Sequence, residues 1–138
     1  MARHTLRGRV DAGATKRLII DDGMLNQGHK VVEFYVWAQS IASGDDPACV
    51  LAKSYDADPS WNASDNRQIG WAGQTTTNTT RMMDFNLLDP DNVVIQDLFL
   101  INIGATVANY MVVIEPVELN NDQVVMQLIK ERSQDDIR

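Results

Sequence analysis

The stretch Trp61-Asn62-Ala63-Ser64-Asp65-Asn66-Arg67-Gln68-Ile69-Gly70-Trp71 places a hydroxyl, a carboxylate, a guanidinium and two asparagines between two tryptophans. Each polar group there has a chemistry to test. A serine nucleophile needs a base to take its proton. Ser64 has no glycine elbow around it and no histidine near it in sequence. The histidines are His4 and His29, one in a basic segment and one beside a glycine, with no cluster of Cys, His or carboxylates around either that would make a metal site. Cys49 is the single cysteine, so it makes no internal disulfide, and its setting in Ala48-Cys49-Val50-Leu51-Ala52 is that of a small buried apolar residue. Such use of cysteine is compatible with a reducing compartment.

Three aspartate-rich runs, Asp21-Asp22-Gly23, Asp45-Asp46-Pro47 and Asp89-Pro90-Asp91-Asn92, have the oxygen ligands that calcium prefers but lack the alternating ligand spacing of an EF-hand loop. They read as turns closed by short polar side chains. Paired carboxylates for glycoside chemistry need a cleft and an acid held protonated, and the sequence signals neither. Asn62-Ala63-Ser64 and Asn78-Thr79-Thr80 match the glycosylation sequon, but the N-terminus MARHTLRGRVDAG has no apolar core of a secretory signal, so both read as chance matches. The expectation is a protein with no catalytic residues, no metal and no cofactor.

The polar stretch itself reads first as a turn. Asn62, Ser64, Asp65 and Asn66 are residues whose side chains fold back on the backbone. Strict alternation then puts Arg67, Ile69 and Trp71 on one face of a returning strand and Gln68 and Gly70 on the other. Trp61 and Trp71 clamp the ends of the loop. Asp65 and Arg67 are expected to form an exposed local pair contributing roughly 0–1 kcal/mol.

The elements that carry this loop are short and β-like. Strands are expected over Thr5–Val10, Thr15–Asp21, Lys30–Ile41, Ala48–Tyr55, Arg67–Gly73, Asn92–Ile103 and Ala108–Leu119, separated by turn residues, and Arg81–Leu88 reads as a strand or a single irregular turn. In Lys30–Ile41, alternation groups Val32, Phe34 and Val36 against Val31, Glu33, Tyr35 and Trp37. In Asn92–Ile103 the set Val93, Ile95, Asp97, Phe99, Ile101 and Ile103 is the expected core face. Pro116 marks an edge or a strand end. Gln74–Thr80 reads as a flexible loop or an exposed edge. Gln123–Arg132 has helical spacing, with Leu128 and Ile129 on its apolar stripe and cations near its C-terminal end.

About seven or eight strands at this spacing indicate a mainly β, single-domain antiparallel β-sandwich or jelly-roll-like barrel, with one C-terminal helix. The organisation expected is a basic N-terminal arm over residues 1–16, a β domain over 17–119, and a helix with a polar tail over 120–138. The 138 residues suffice for one domain. No apolar run approaches the roughly 18 residues of a membrane helix, so no membrane partner is expected.

Charge is uneven. Residues 1–17 hold Arg3, Arg7, Arg9, Lys16 and Arg17 against Asp11, a net of +4. The rest holds 7 basic and 18 acidic residues, a net of −11, and the two sum to −7. An acidic body argues against direct nucleic-acid binding, which needs clustered cations. The N-terminal segment reads either as a solvated terminus or as an arm docking on an acidic neighbour; as an arm, its deletion would leave the β core folded and weaken assembly.

Several segments, RLIIDDG at 17–23, WNASDNRQIGWA at 61–72, DPDNVVIQDL at 89–98, NYMVVIEP at 109–116 and QLIKERSQDD at 127–136, make the chain resemble small virion structural proteins of marine bacteriophages. The resemblance spans roughly residues 17–136 and supplies no catalytic residues. It implies a non-enzymatic, capsid-associated subunit, assembled in the host cytoplasm and resident in the virion. A decoration or cement protein is the first expectation, with the major capsid protein or other virion proteins and copies of itself, in a trimer, as partners. A tail or connector component, or a capsid subunit of a tailless particle, is the alternative. A carbohydrate- or receptor-binding β module, with Trp61, Trp71 and Trp37 as stacking surfaces, is the third. The candidate subunit-contact residues are Arg3, Arg7, Arg9, Trp61, Asp65, Asn66, Arg67, Leu128 and Ile129.

Overall fold

A computed structural model describes residues 3–20, 27–40, 46–76, 82–118 and 126. Among them the chain forms β1 (His4–Val10), β2 (Thr15–Leu18), β3 (Gln27–Ala38), β4 (Ala48–Ala52), β5 (Gln68–Thr76), β6 (Met82–Leu88), β7 (Leu98–Asn102) and β8 (Ala108–Glu118). They make a three-stranded sheet in the order β1-β8-β3 and a five-stranded sheet in the order β2-β7-β4-β5-β6. Every pairing is antiparallel. The mainly β expectation holds. The expected C-terminal helix, with Leu128 and Ile129, lies outside the described residues apart from Met126, as do the turn expected at 21–23 and Asp45 of the turn expected at 45–47.

One core cluster draws on both sheets. Tyr110, Val112 and Ile114 of β8 and Phe34 and Val36 of β3 belong to it, with Cys49 and Leu51 of β4 and Leu98 and Leu100 of β7 from the other sheet. On β8 the alternation is regular, so Asn109 and Met111 face away from that core. Among the described residues Pro116 pairs with His29 of β3, and the β1 pairing reaches Ile114. A residue without an N–H is tolerated where a strand has lost one neighbour.

Strict alternation fails at two β-bulges. In β3 the register against β8 jumps from Val31 to Glu33, so Val31, Phe34 and Val36 all reach the core. In β5 the register against β4 jumps between Leu51 and Ala52, passing from Gly70 to Gln68. Ile69 therefore joins the main core while Gln68 and Trp71 share the outer face, not the grouping expected from simple alternation. The expected core face of residues 92–103 is also corrected. Val94, Leu98 and Leu100 enter the main core, whereas Ile101 packs on the outer face with Val50, Ala52 and Ala57. Both faces of β7 are covered, so hydrophobicity alone does not separate them.

Side-chain amides close the gaps that the ladders leave. The free edge of β3 meets the 92–94 segment: His29 and Val94 exchange backbone hydrogen bonds of 2.7 Å. Beside them Asn92 Oδ1 accepts from the Val31 N–H at 2.8 Å, and Asn92 Nδ2 donates to the Val31 carbonyl at 3.0 Å. Asn92 thus stands in for a neighbouring strand next to the bulge. Asn102 Nδ2 donates to the Val10 and Thr106 carbonyls, tying the end of β7 to the end of β1.

The basic N-terminal segment is no appendage. Its residues 4–10 are β1, paired along their whole length with β8, and Val10 lies in the core with Leu6 packed against it. The chain then crosses to the second sheet through a turn in which Ala14 N–H donates to the Asp11 carbonyl at 3.0 Å and Gly13 holds φ at 70°. That left-handed conformation favours glycine. Deleting residues 1–12 is therefore expected to destabilise the domain by at least roughly 1.5–3 kcal/mol, from the lost burial of Val10 alone. Urea denaturation of the truncated chain measures this, and a midpoint equal to that of the full chain would refute it.

Candidate functional site

Residues 53–67 leave β4, cross the outer face of the five-stranded sheet and return as β5. The neck of this loop is closed by Lys53 N–H donating to the Arg67 carbonyl at 2.8 Å. Ala57 anchors its first half in the outer cluster with Val50, Ala52 and Ile101. Its tip is a turn, with Asp65 N–H to the Asn62 carbonyl at 3.1 Å and Ser64 N–H to Asn62 Oδ1 at 3.1 Å. The turn expected from the asparagines and serine is present.

Asp65 and Arg67 are not the exposed pair that the sequence suggested. Arg67 is 2% exposed, and the two side chains meet in a fork, Nε to Oδ1 at 3.0 Å and Nη2 to Oδ2 at 3.2 Å. Asp65 Oδ1 also accepts from the Arg67 N–H, and Oδ2 from the Asp58 N–H. Burial pushes the Asp65 carboxyl up, but the hydrogen bonds from Arg67 and Asp58 and the guanidinium charge outweigh it and hold the carboxyl below its ordinary value. Asp58, hydrogen-bonded by Asn62 and then Ser60, is also held low.

Gln68 is the second crosslink, 3% exposed. Its Nε2 donates to the Asp58 and Ser60 carbonyls at 2.8 and 2.6 Å. Its Oε1 accepts from the Asn62 N–H at 2.9 Å and from Trp71 Nε1 at 2.7 Å. Trp61 Nε1 donates to the Cys49 carbonyl at 3.1 Å. Both indole N–H groups are thus used internally, and the rings are fixed. Trp61 lies over Gly73, where an added Cβ would come within 3.1 Å of the ring, and packs edge-on against Phe85 at 4.9 Å between centroids.

The result is an apolar depression of about 290 Å³ lined by Trp61, Ala63, Trp71, Phe85 and Leu87. Trp61 is 45%, Phe85 39% and Leu87 59% exposed. Phe85 and Leu87 belong to β6, the edge of the sheet, and pair with Gly73 and Trp71 on the outer face. Asp84 and Asn86 take the opposite parity and are also exposed. This edge strand turns Phe85 and Leu87 outward, while Leu88 packs against the main core. Residue types in the segment RMMDFNLL alternate visibly, but only pairing with β5 says which set faces out. Beside the depression, and sharing Ala63 and Trp71 with it, runs a narrow cleft of about 60 Å³ lined also by Lys53, Asp65, Asp89 and Asp91.

Other sequence candidates are dispersed. Arg3, Arg7 and Arg9 are exposed on the other sheet, with Arg3 on Glu115 at 3.2 Å and Arg9 on Asn109 Oδ1 at 3.1 Å. Asn66 is exposed at the loop tip, close to Trp61, Asp65 and Arg67. Trp37 is on the three-stranded sheet, away from Trp61 and Trp71. Ser64 Oγ donates to Asn62 Oδ1 at 2.6 Å, a contact that offers no base. Burial pushes the Cys49 thiol up to about 12, far from a reactive thiolate. Among the described residues no group of three or more His, Cys, Asp or Glu could hold a metal ion. A broader recess of about 420 Å³ is lined by Arg17, Tyr55, Gln96, Asp97 and Phe99, where Arg17 and Asp97 are paired with each other.

Removing one partner of a buried pair strands the other charge. Asp65→Ala or Arg67→Met is expected to cost about 3–5 kcal/mol each, and the double variant less than their sum. A carboxylate whose folded pKa lies below its unfolded value of about 3.9 stabilises fully above that pH and loses its contribution as pH falls through the folded value. The gap between wild type and Asp65→Asn should therefore be widest near neutrality and close in acid. Urea titrations from neutral to acidic pH measure it, and a pH-independent gap contradicts the assignment.

Compared with protein-family models, with curated proteins and with solved structures, the chain finds no match.

Proposed function

We propose that the chain is a non-enzymatic structural subunit of a phage virion, a decoration or cement protein that stabilises the capsid through inter-subunit contacts. The observation that carries this reading is the outward apolar face of an edge strand, Phe85 and Leu87 beside Trp61, held rigid by the Asp65–Arg67 pair. Rigid exposed aromatic and aliphatic anchors are the usual centre of a protein–protein contact. The resemblance over residues 17–136 supports the virion setting. The fold that goes with it is a single-domain antiparallel β-sandwich, and two separate sheets with no ladder joining them among the described strands favour that over a closed barrel. Its partners are the major capsid protein or other virion proteins and further copies of itself, assembled in the host cytoplasm. Binding to an assembled shell stabilises that shell by mass action.

Quantifying the chain in purified particles tests the reading. A fixed high ratio to the major shell protein is expected. A few copies per particle would move the chain to a tail or connector role, and absence from particles would overturn a virion role altogether.

A carbohydrate-binding reading has one observation in its favour: Trp61 and Trp71, ten positions apart in sequence, line one depression with their N–H groups tied inward and ring surface left for stacking. Saccharide binding that shifts tryptophan emission and is lost in Trp61→Ala would support it. No shift across a saccharide panel would remove it.

A further inference from the structure

The two sheets carry different chemistry on their outer faces. On the three-stranded sheet, cross-strand register aligns Arg7 with Met111 and Tyr35, and Arg9 with Asn109 and Trp37. Arg7, Arg9 and Trp37 are exposed, and Trp37 is the large apolar residue of that face at 41%. Cations therefore share that face with Trp37 and the half-buried Tyr35, and its carboxylates are engaged locally, Glu115 with Arg3 and Glu33 with the Tyr35 hydroxyl. On the five-stranded sheet, the apolar depression of about 290 Å³ continues into the narrower cleft with Asp89 and Asp91. Lys53 is the cation of that lining, and Asp65, which also lines it, is paired with the buried Arg67. An aromatic beside cations on one face matches an aromatic-lined depression beside carboxylates on the other.

We infer that copies of this chain associate head to tail: Trp37 of one copy seats in the depression formed by Trp61, Trp71, Phe85 and Leu87 of the next, while Arg7 and Arg9 meet Asp89 and Asp91. The inference rests on the reading of the chain as an assembly subunit and names the surfaces that assemble. A contact between two different faces is heterologous, so it propagates into a closed ring or an open chain and does not stop at a two-fold dimer. A ring of three copies is one closed solution. Opposite charges steer the encounter and fix its register, and the buried aromatic supplies the anchor.

A mixing experiment tests it. The first variant, Arg7→Glu with Trp37→Ala, disables the basic face. The second, Leu87→Lys with Asp91→Lys, disables the acidic face; all four positions are exposed. Both should fold, with unchanged circular dichroism and melting, and Leu87→Ser replaces Leu87→Lys if the second does not. In sedimentation velocity, the wild type should form species larger than dimers that dissociate with added salt. Each variant alone should sediment as a monomer. An equal mixture should give a discrete one-to-one pair, because each variant keeps the face the other lacks. Association of the first variant alone, or a monomeric wild type at every concentration, would overturn the inference. A monomeric wild type found in particles at a fixed ratio to the shell protein would leave the decoration role standing without head-to-tail contact.

Discussion

A guanidinium withdrawn from water has to be answered on every side, and Arg67 is answered by Asp65 in a two-bond fork. The cost of desolvating both ions is several kcal/mol each, so the pair is useful less for net stability than for the arrangement it permits. Asp65 accepts from Asp58 and Arg67 backbone groups as well, so the same carboxylate that neutralises the guanidinium sets the path of the loop. With Gln68 crosslinking the same segment to Trp71, the loop behaves as a third layer on the five-stranded sheet. The ring positions of Trp61 and Trp71 are set by that layer.

The two β-bulges have a comparable reach. Each inserts one residue and reverses the inside–outside sense of the strand beyond it. In β5 the bulge puts Gln68 on the loop side, where its amide is needed, and sends Ile69 to the core, where its hydrocarbon is needed. In β3 the bulge lets Val31 and Phe34 both face inward. The irregular edge this leaves is met by Asn92, whose amide satisfies a donor and an acceptor at once. Local departures from ideal geometry thus sit beside the polar residues that make them tolerable.

The outer faces are then free to differ. The central strand of the three-stranded sheet, β8, is flanked by β1 and β3, so the arginines of β1 fall in register with the aromatics of β3 across it. On the other sheet, β6 turns Phe85 and Leu87 away from the core, and the loop brings Trp61 down beside them. The exposed rings and aliphatic side chain of Trp61, Phe85 and Leu87 make this the apolar outer face of the described molecule.

Much of the architecture was legible from residue types alone. β-branched runs punctuated by Gly, Pro, Asn and Asp located the strands, and the asparagines and serine of the 61–66 stretch announced its turn. The same types could not decide which face of a strand is the inner one. Residues 98–103 are apolar on both parities because both sides of β7 are covered. A bulge leaves no mark in composition, so strict alternation groups Ile69 with Trp71 and Gln68 with Gly70, where the structure puts Gln68 and Trp71 on the outer face and Ile69 in the core. The Asp65–Arg67 pair looked like any local pair two residues apart, and its burial depends on a loop folding over a sheet. Nor does sequence show that an arginine-bearing N-terminal segment is the outer strand of a sheet, since its partner β8 is 100 positions away at the Arg9–Asn109 contact. Sequence determined the local preferences and the total charge. Tertiary structure decided which faces those residues share, because that depends on long-range register, which no local pattern encodes.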